Sequence, residues 1–177
     1  MPLPVDVLIE EHKLIIQAIS IIDKEITRIE TQAVVDQNVV STTVDFLRTY
    51  ADRFHHGKEE GILFKGLSQK KLSEQDHQVM TELVMEHAFA RRTVKALETA
   101  KENYFLGKKE ALKELLESLK ALVKLYPEHI KKEDTRFFYP CMEYFSEAER
   151  QNMMASFLTF NQNFTDKRYK QIIDLLH

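Results

Sequence analysis

Between Asp6 and Thr31 the residues Leu8, Ile15, Ile16, Ile19, Ile22, Ile26 and Ile29 recur at intervals of three and four. That spacing lines one face of an α-helix. It returns along most of the chain, and only four glycines and four prolines punctuate the 177 residues. A strand-and-turn protein needs more turn residues than that. The pattern therefore predicts an all-α fold.

Four long helices can be placed. Helix A spans Asp6 to Thr31, and helix B runs from Gln37 to Phe64, stopping near Gly66. Ser73 is placed to cap helix C, with Glu74 and Asp76 in its first turn; the helix ends at Phe105, near Gly107. Helix D starts at Lys108 and carries Leu112, Leu115, Leu119 and Leu122, with a kink expected at Pro127. "SEAE" at 146–149 reads as a capping box opening helix E, Ser146–Ile173. In helix E, Phe157, Phe160 and Phe164 should face the bundle. Short connections between long helices imply an antiparallel up-down four-helix bundle with an additional C-terminal helix. No linker or low-complexity stretch divides residues 1–177, so one domain is expected.

Composition narrows the function classes. Apolar residues make up 44% and charged residues 30%, with a net charge of −3. Neither a nucleic-acid nor a membrane partner is suggested. No stretch is long and apolar enough for a transmembrane helix, and no signal peptide is evident at the N-terminus. Cys141 is the only cysteine; it suits a small core position near Pro140 and a reducing, cytoplasmic setting. There is no Gly-rich phosphate loop and no nucleophile paired with a base.

The histidines carry the chemistry. Of seven, His12 falls on the apolar stripe of helix A. His87 falls on that of helix C, among Met80, Leu83, Val84, Ala90 and Val94. His129 continues the leucine stripe of helix D, with Glu133 one turn further on. A core histidine is ordinarily a hydrogen-bonded structural residue, but a buried carboxylate needs a partner or a metal.

Order along the chain adds to this. Helix A carries "EEH" (10–12) and helix C "MEH" (85–87). Helix B carries His56, Glu60 and Phe64 at spacings of four, and helix D repeats them as His129, Glu133 and Phe137. His12 and His56 are 44 positions apart, His87 and His129 are 42. Each gap is one helix out and one helix back, so an up-down bundle brings the four histidines to one level. "FHHGKEEGILF" (54–64) holds a second pair, His55 and Glu59. The repeat selects His56 with Glu60, whereas Val40, Val44, Leu47, Ala51 and Phe54 point to a face nearer His55, so the helical wheel leaves the choice open. Imidazoles and carboxylates together suit a pair of first-row transition metals better than calcium, magnesium or a thiolate-bound ion. A single zinc would strand ligands.

At these residues the chain resembles the hemerythrin-like (HHE cation-binding) family, in its bacterial-type form. The resemblance runs from "EEH" at 10–12, through "HHGKEEGILF" and "EH" at 86–87, to "HIKKEDTRFFYP" at 129–140. It implies a non-haem di-iron site, oxo- or hydroxo-bridged, with His12, His56, His87 and His129 as imidazole ligands and Glu60 and Glu133 as bridges. It also implies a small diatomic ligand, O2 or NO, bound for sensing, storage or detoxification. Two departures stand out. Oxygen carriers place a His-x3-His pair on the third helix; here Leu83 and Arg91 flank His87 at that spacing. One histidine is thus missing, which would leave both irons open to ligands and the reduced site prone to oxidation. Carriers also use His-x4-Asp on the fourth helix. Asp134 fits that spacing, but Glu133 fits the bacterial-type members and the internal repeat.

Other residues are secondary candidates. Tyr126, one turn before His129, either approaches the site or is an ordinary core tyrosine. Glu11 and Glu86, each beside a ligand histidine, either orient imidazoles or are solvated. Arg91 and Arg92 should pair with acids, and His77 and His177 should be exposed. Two alternative functions stand beside the first. One is a redox enzyme or iron donor resembling the di-iron proteins of iron–sulfur cluster repair; those carry an additional cysteine-bearing N-terminal segment, and here only residues 1–11 precede His12. The other is a metal-free helical interaction module.

Overall fold

The computed structural model describes residues 2–162. They form a helical bundle, and no strand occurs among them. Helix α1 spans Pro4–Gln32. Its start is set by Pro4, whose missing N–H costs nothing in a first turn, and by Asp6, which accepts from the Leu3 N–H at 2.7 Å. It ends where Ala33 turns left-handed (φ 55°) and donates its N–H to Ile29.

The second helix is not uniform. Asp36 caps it by accepting from Asn38 and Val39 N–H groups at 2.9 and 3.2 Å. It begins as α2, Gln37–Phe46, and widens to π-helix over Leu47–His56 and again over Glu59–Phe64. It closes as α3, Lys65–Leu67. Ser73 then caps α4, Glu74–Phe105, accepting from the Asp76 N–H at 3.0 Å. Gly107, at φ 93°, supplies the left-handed turn that follows. Helix α5 spans Ala111–Lys132, three residues later than its predicted start. Pro127 sits inside α5 without ending it; the widening to π-helix comes later, over Glu133–Phe137, before α6, Phe138–Met142.

The predicted capping box opens α7, Glu147–Asn161. The Ser146 N–H donates to Glu149 at 2.8 Å, and the Glu149 N–H reaches back to the serine hydroxyl at 3.4 Å. Phe157 is fully buried and Phe160 packs on the core beside it. Gly57 permits that approach, because a Cβ there would meet the Phe160 ring at 3.1 Å. Phe164, Ile173 and His177 lie outside the described residues.

Two apolar clusters fill the bundle. One gathers Ile15, Ile19, Ile22, Phe54, Leu119 and Leu122; the other gathers Leu8, Leu63, Leu83, Phe137, Phe138 and Phe157. Each burial of such a side chain contributes roughly 1.5–3 kcal/mol. Every long helix crosses from one cluster to the other, and each carries a histidine at the crossing: His12, His55 and His56, His87, and His129. The bundle therefore holds a polar layer between two apolar ones. Two residues of the predicted stripes leave the core. Ile16 is 39% and Val84 41% exposed, each turned outward beside a buried neighbour, Ile15 and Leu83.

Candidate metal centre

Five imidazoles meet in the polar layer, each nearly or fully buried. Every one has its Nδ1 against a carboxylate. His12 faces Asp134 at 2.8 Å, His55 faces Glu11 at 2.9 Å, and His87 faces Glu60 at 2.6 Å. His129 faces Glu86 at 2.7 Å, and His56 faces Asp52 at a longer 3.4 Å. An ionised carboxylate only accepts, so these contacts place a proton on Nδ1 and leave Nε2 for the interior.

In the interior the Nε2 atoms converge. Those of His12 and His55 lie 2.9 Å apart, and those of His87 and His129 lie 3.2 Å apart. His56 stacks on the His87 ring at 3.8 Å between centroids. Two carboxylates, Glu59 and Glu133, stand between the groups, neither exposed to solvent. Glu59 sets one oxygen 3.1 Å from His55 Nε2 and the other 3.3 Å from His87 Nε2. Glu133 does the same towards His12 and His129, at 3.2 Å each. All four oxygens are buried, and none has a properly oriented hydrogen bond among the described residues.

Two groups of donors result. His12, His55, Glu59 and Glu133 form one; His56, Glu59, His87 and His129 form the other; within each the ligating atoms lie within 4.8 Å of one another. Glu59 belongs to both.

The electrostatics call for positive charge. Two buried carboxylates without donors are costly unless cations stand beside them. Burial alone would lower the pKa of His55, but Glu59 and Glu11 outweigh it and hold His55 at about 10. His129 is likewise held at about 10 against burial, by Glu133 and Glu86. Glu133 is pushed well below the usual carboxylate range: burial opposes this, and His129 and His12 prevail. Burial and the neighbouring His87 and His55 push His56 the other way, well below the ordinary imidazole value. The donors that converge are imidazole nitrogens and carboxylate oxygens, and Cys141 belongs to neither group of them.

The pattern of the hemerythrin HHE cation binding domain matches residues 3–151. The chain belongs to that family. No curated protein and no solved structure matches it.

Hemerythrin-like domains bind cations, and the arrangement here brings together most of the residues read from the sequence. His12, His56, His87, His129 and Glu133 all converge. Glu60 does not. Its side chain is 31% exposed and turned outward, where it accepts from His87 Nδ1 and from Arg91 at 2.8 Å. Glu59 occupies the interior position, and His55 joins as a fifth imidazole. The reason is local. In an α-helix neighbouring side chains point about 100° apart, so the wheel forces a choice between His55 and His56. A π-helix closes its hydrogen bonds at i+5 and turns less per residue, which lets both neighbours reach the interior. His55 and His56 are both buried in the polar layer, one in each group of donors.

The supporting residues divide similarly. Glu11, Glu86 and Asp134 each accept from an imidazole of the layer. Lys58 and Asp52 were not legible as site residues; Asp52 lies one turn before His56, a spacing that would have flagged it. Lys58 is fully buried over the Phe54 ring, with its ammonium donating to Glu11 and to Asn161. Lys132 supports Glu86 at 2.6 Å. Tyr126 lies flat beside the His56 ring, 6.3 Å between centroids. Arg91 pairs with Asp52 and Glu60 as expected, and His77 is exposed. Among the described residues no helix is long and apolar enough to cross a membrane.

Proposed function

We propose that the chain is a non-haem di-iron protein that binds a small diatomic, O2 or NO, for sensing, storage or detoxification. The observation that carries this reading is the set of four buried carboxylate oxygens on Glu59 and Glu133 that lack hydrogen-bond donors while facing imidazole Nε2 atoms on both sides. Such a core is expensive without cations and well suited to two of them. His12 and His55 would hold one ion, His56, His87 and His129 the other, and Glu59 and Glu133 would join them. This set departs from the sequence reading by placing Glu59 where Glu60 stood and by adding His55. A metal-free interaction module has no use for four stranded oxygens.

When bound, ferrous ions supply the electrons that let such a centre take up and reduce small diatomics. The protein's part is positioning and exclusion. Asp134, Glu11, Glu60 and Glu86 fix the imidazole rings and raise their basicity through Nδ1. Phe138 stacks on His12 at 5.6 Å and Phe64 on His87 at 6.0 Å, which keeps bulk water from both ends. The donor set is uneven: the His12–His55 side has one imidazole fewer than the other. That side would leave more room for a small ligand, whereas the count of four histidines implied both sides. The single cysteine suits a reducing, cytoplasmic compartment.

The test is anaerobic reduction of the iron-loaded protein followed by O2 and NO titration, read by optical spectroscopy. A saturable change at about one ligand per chain supports the reading. Unchanged spectra with both gases would exclude it.

A further inference from the structure

A second feature adjoins the metal layer on the side of His56. A cavity of about 380 Å³ opens between the second helix and α4 and reaches His56 and Tyr126. A water's share of liquid volume is about 30 Å³, so the cavity has room for roughly a dozen. A diatomic does not need it, and the size falls within the range of small-molecule sites.

Its lining is two-tiered. Leu47, Ala90, Val94 and the Tyr126 ring form a buried apolar floor. Arg48, Arg53, Arg91 and Lys95 stand exposed around the mouth, against the carboxylates of Asp52 and Glu98. Two of the cations are neutralised: Arg48 binds Glu98 at 2.6 Å, and Arg91 binds Asp52 at 2.7 Å. Arg53 and Lys95 have no acid among the described residues. On a chain of net charge −3, four cations against two carboxylates leave this mouth locally positive, which favours an entering anion.

Tyr126 supplies the independent observation. Only 2% of the residue is exposed, and its hydroxyl makes no hydrogen bond among the described residues, yet it lines the cavity. The hydroxyl is not among the enclosed unpartnered oxygens, which are those of Glu59 and Glu133; it opens to the cavity, where its O–H is free to donate to an occupant.

We propose that this cavity binds a small organic monoanion, a carboxylate with a compact apolar body. The body lies on Leu47, Ala90 and Val94, the Tyr126 hydroxyl donates to the ligand, and Arg53 and Lys95 draw the negative charge. The occupant rests against the outer side of His56. The proposal stands apart from the identity of the metal.

Calorimetric titration of the purified protein with benzoate tests it, with benzamide as the uncharged isostere and inorganic phosphate as the anion without an apolar body. Saturable benzoate binding is expected. Tyr126→Phe should weaken it about fivefold, the worth of one net hydrogen bond, and Arg53→Gln/Lys95→Gln should weaken it at least as much. Benzamide should bind more weakly than benzoate. Circular dichroism checks that Tyr126→Phe folds; if it does not, the exposed double variant decides alone. Absence of saturable benzoate binding overturns the proposal, as does binding that the double variant leaves unchanged. Phosphate binding as tightly as benzoate would also overturn it, by showing a simple charge effect at the mouth.

Discussion

The Nε2 atoms of His12 and His55 face one another across 2.9 Å, while the Nδ1 of each donates to a carboxylate, Asp134 and Glu11. With both Nδ1 atoms protonated, two lone pairs would point at each other in a buried layer. Such an approach is stable only with a cation at the nitrogens, a proton or a metal ion. His87 and His129 repeat this relationship at 3.2 Å, with Nδ1 on Glu60 and Glu86.

Ligand substitution separates the structure from the internal repeat. The repeat alone predicts that His55→Ala keeps its metal and His56→Ala loses it. The geometry predicts that both lose metal, and that Glu59→Gln loses more than either because its oxygens serve both sides. Glu60→Gln should keep the ions but bind them about 10- to 100-fold more weakly, the usual effect of losing a carboxylate behind a ligand histidine. Metal content after dialysis against a graded chelator measures all four. Retention of metal in Glu59→Gln together with loss in Glu60→Gln would reinstate the repeat.

Removing the metal should destabilise the fold. A ligand at a thousand times its Kd stabilises by about 4 kcal/mol, and in a chain of this size each kcal/mol shifts Tm by roughly 2–4 °C. Chelation should therefore lower Tm by on the order of 10 °C, followed by circular dichroism at 222 nm, the usual helix band. An unchanged Tm would mean that protons alone satisfy the layer.

Lys58 should prove structural for the same layer. Its buried ammonium supports Glu11, which in turn holds His55. Lys58→Met removes one partner of a buried ion pair, a change that costs about 3 kcal/mol or more. Urea unfolding would show this as a lower midpoint at unchanged slope. A midpoint equal to that of the unsubstituted protein would mean that Glu11 needs no cation.

The cap of α7 offers a test remote from the metal. Ser146→Ala removes the acceptor for the Glu149 N–H and should cost about 1 kcal/mol. Glu149 is exposed, and its pKa is pushed down to about 2 by Lys70, then by Ser146. A depressed carboxylate contributes stability above its ordinary value of 4.5, and that contribution fades as pH falls from 4.5 towards 2. The difference between Ser146→Ala and the unsubstituted protein should therefore narrow over that window in acid-unfolding curves. A difference that grows there would contradict the assignment.

What the sequence makes legible depends on period. Ile15, Ile19 and Ile22 keep a 3.6-residue rhythm, so α1 and its buried face read correctly, and so do His12, His87 and His129 on equally regular helices. The same rhythm misplaces Ile16 and Val84, because spacing alone does not say how wide a buried stripe is. It fails most at residues 55–60, where the helix widens to a π turn and a single-period wheel no longer applies. The sequence still held a hint there: Val40, Val44, Leu47 and Phe54 pointed towards His55, and all four are buried. Lys58 could not be found this way, because its partners Glu11 and Asn161 are 47 and 103 positions distant.

The most direct test of the central claim is the number of metal ions per folded chain. Protein reconstituted anaerobically with ferrous iron, freed of excess and assayed by inductively coupled plasma mass spectrometry, should hold about two irons, matching the two donor groups that share Glu59. One iron or none, in a chain with its helical spectrum intact, would contradict the account.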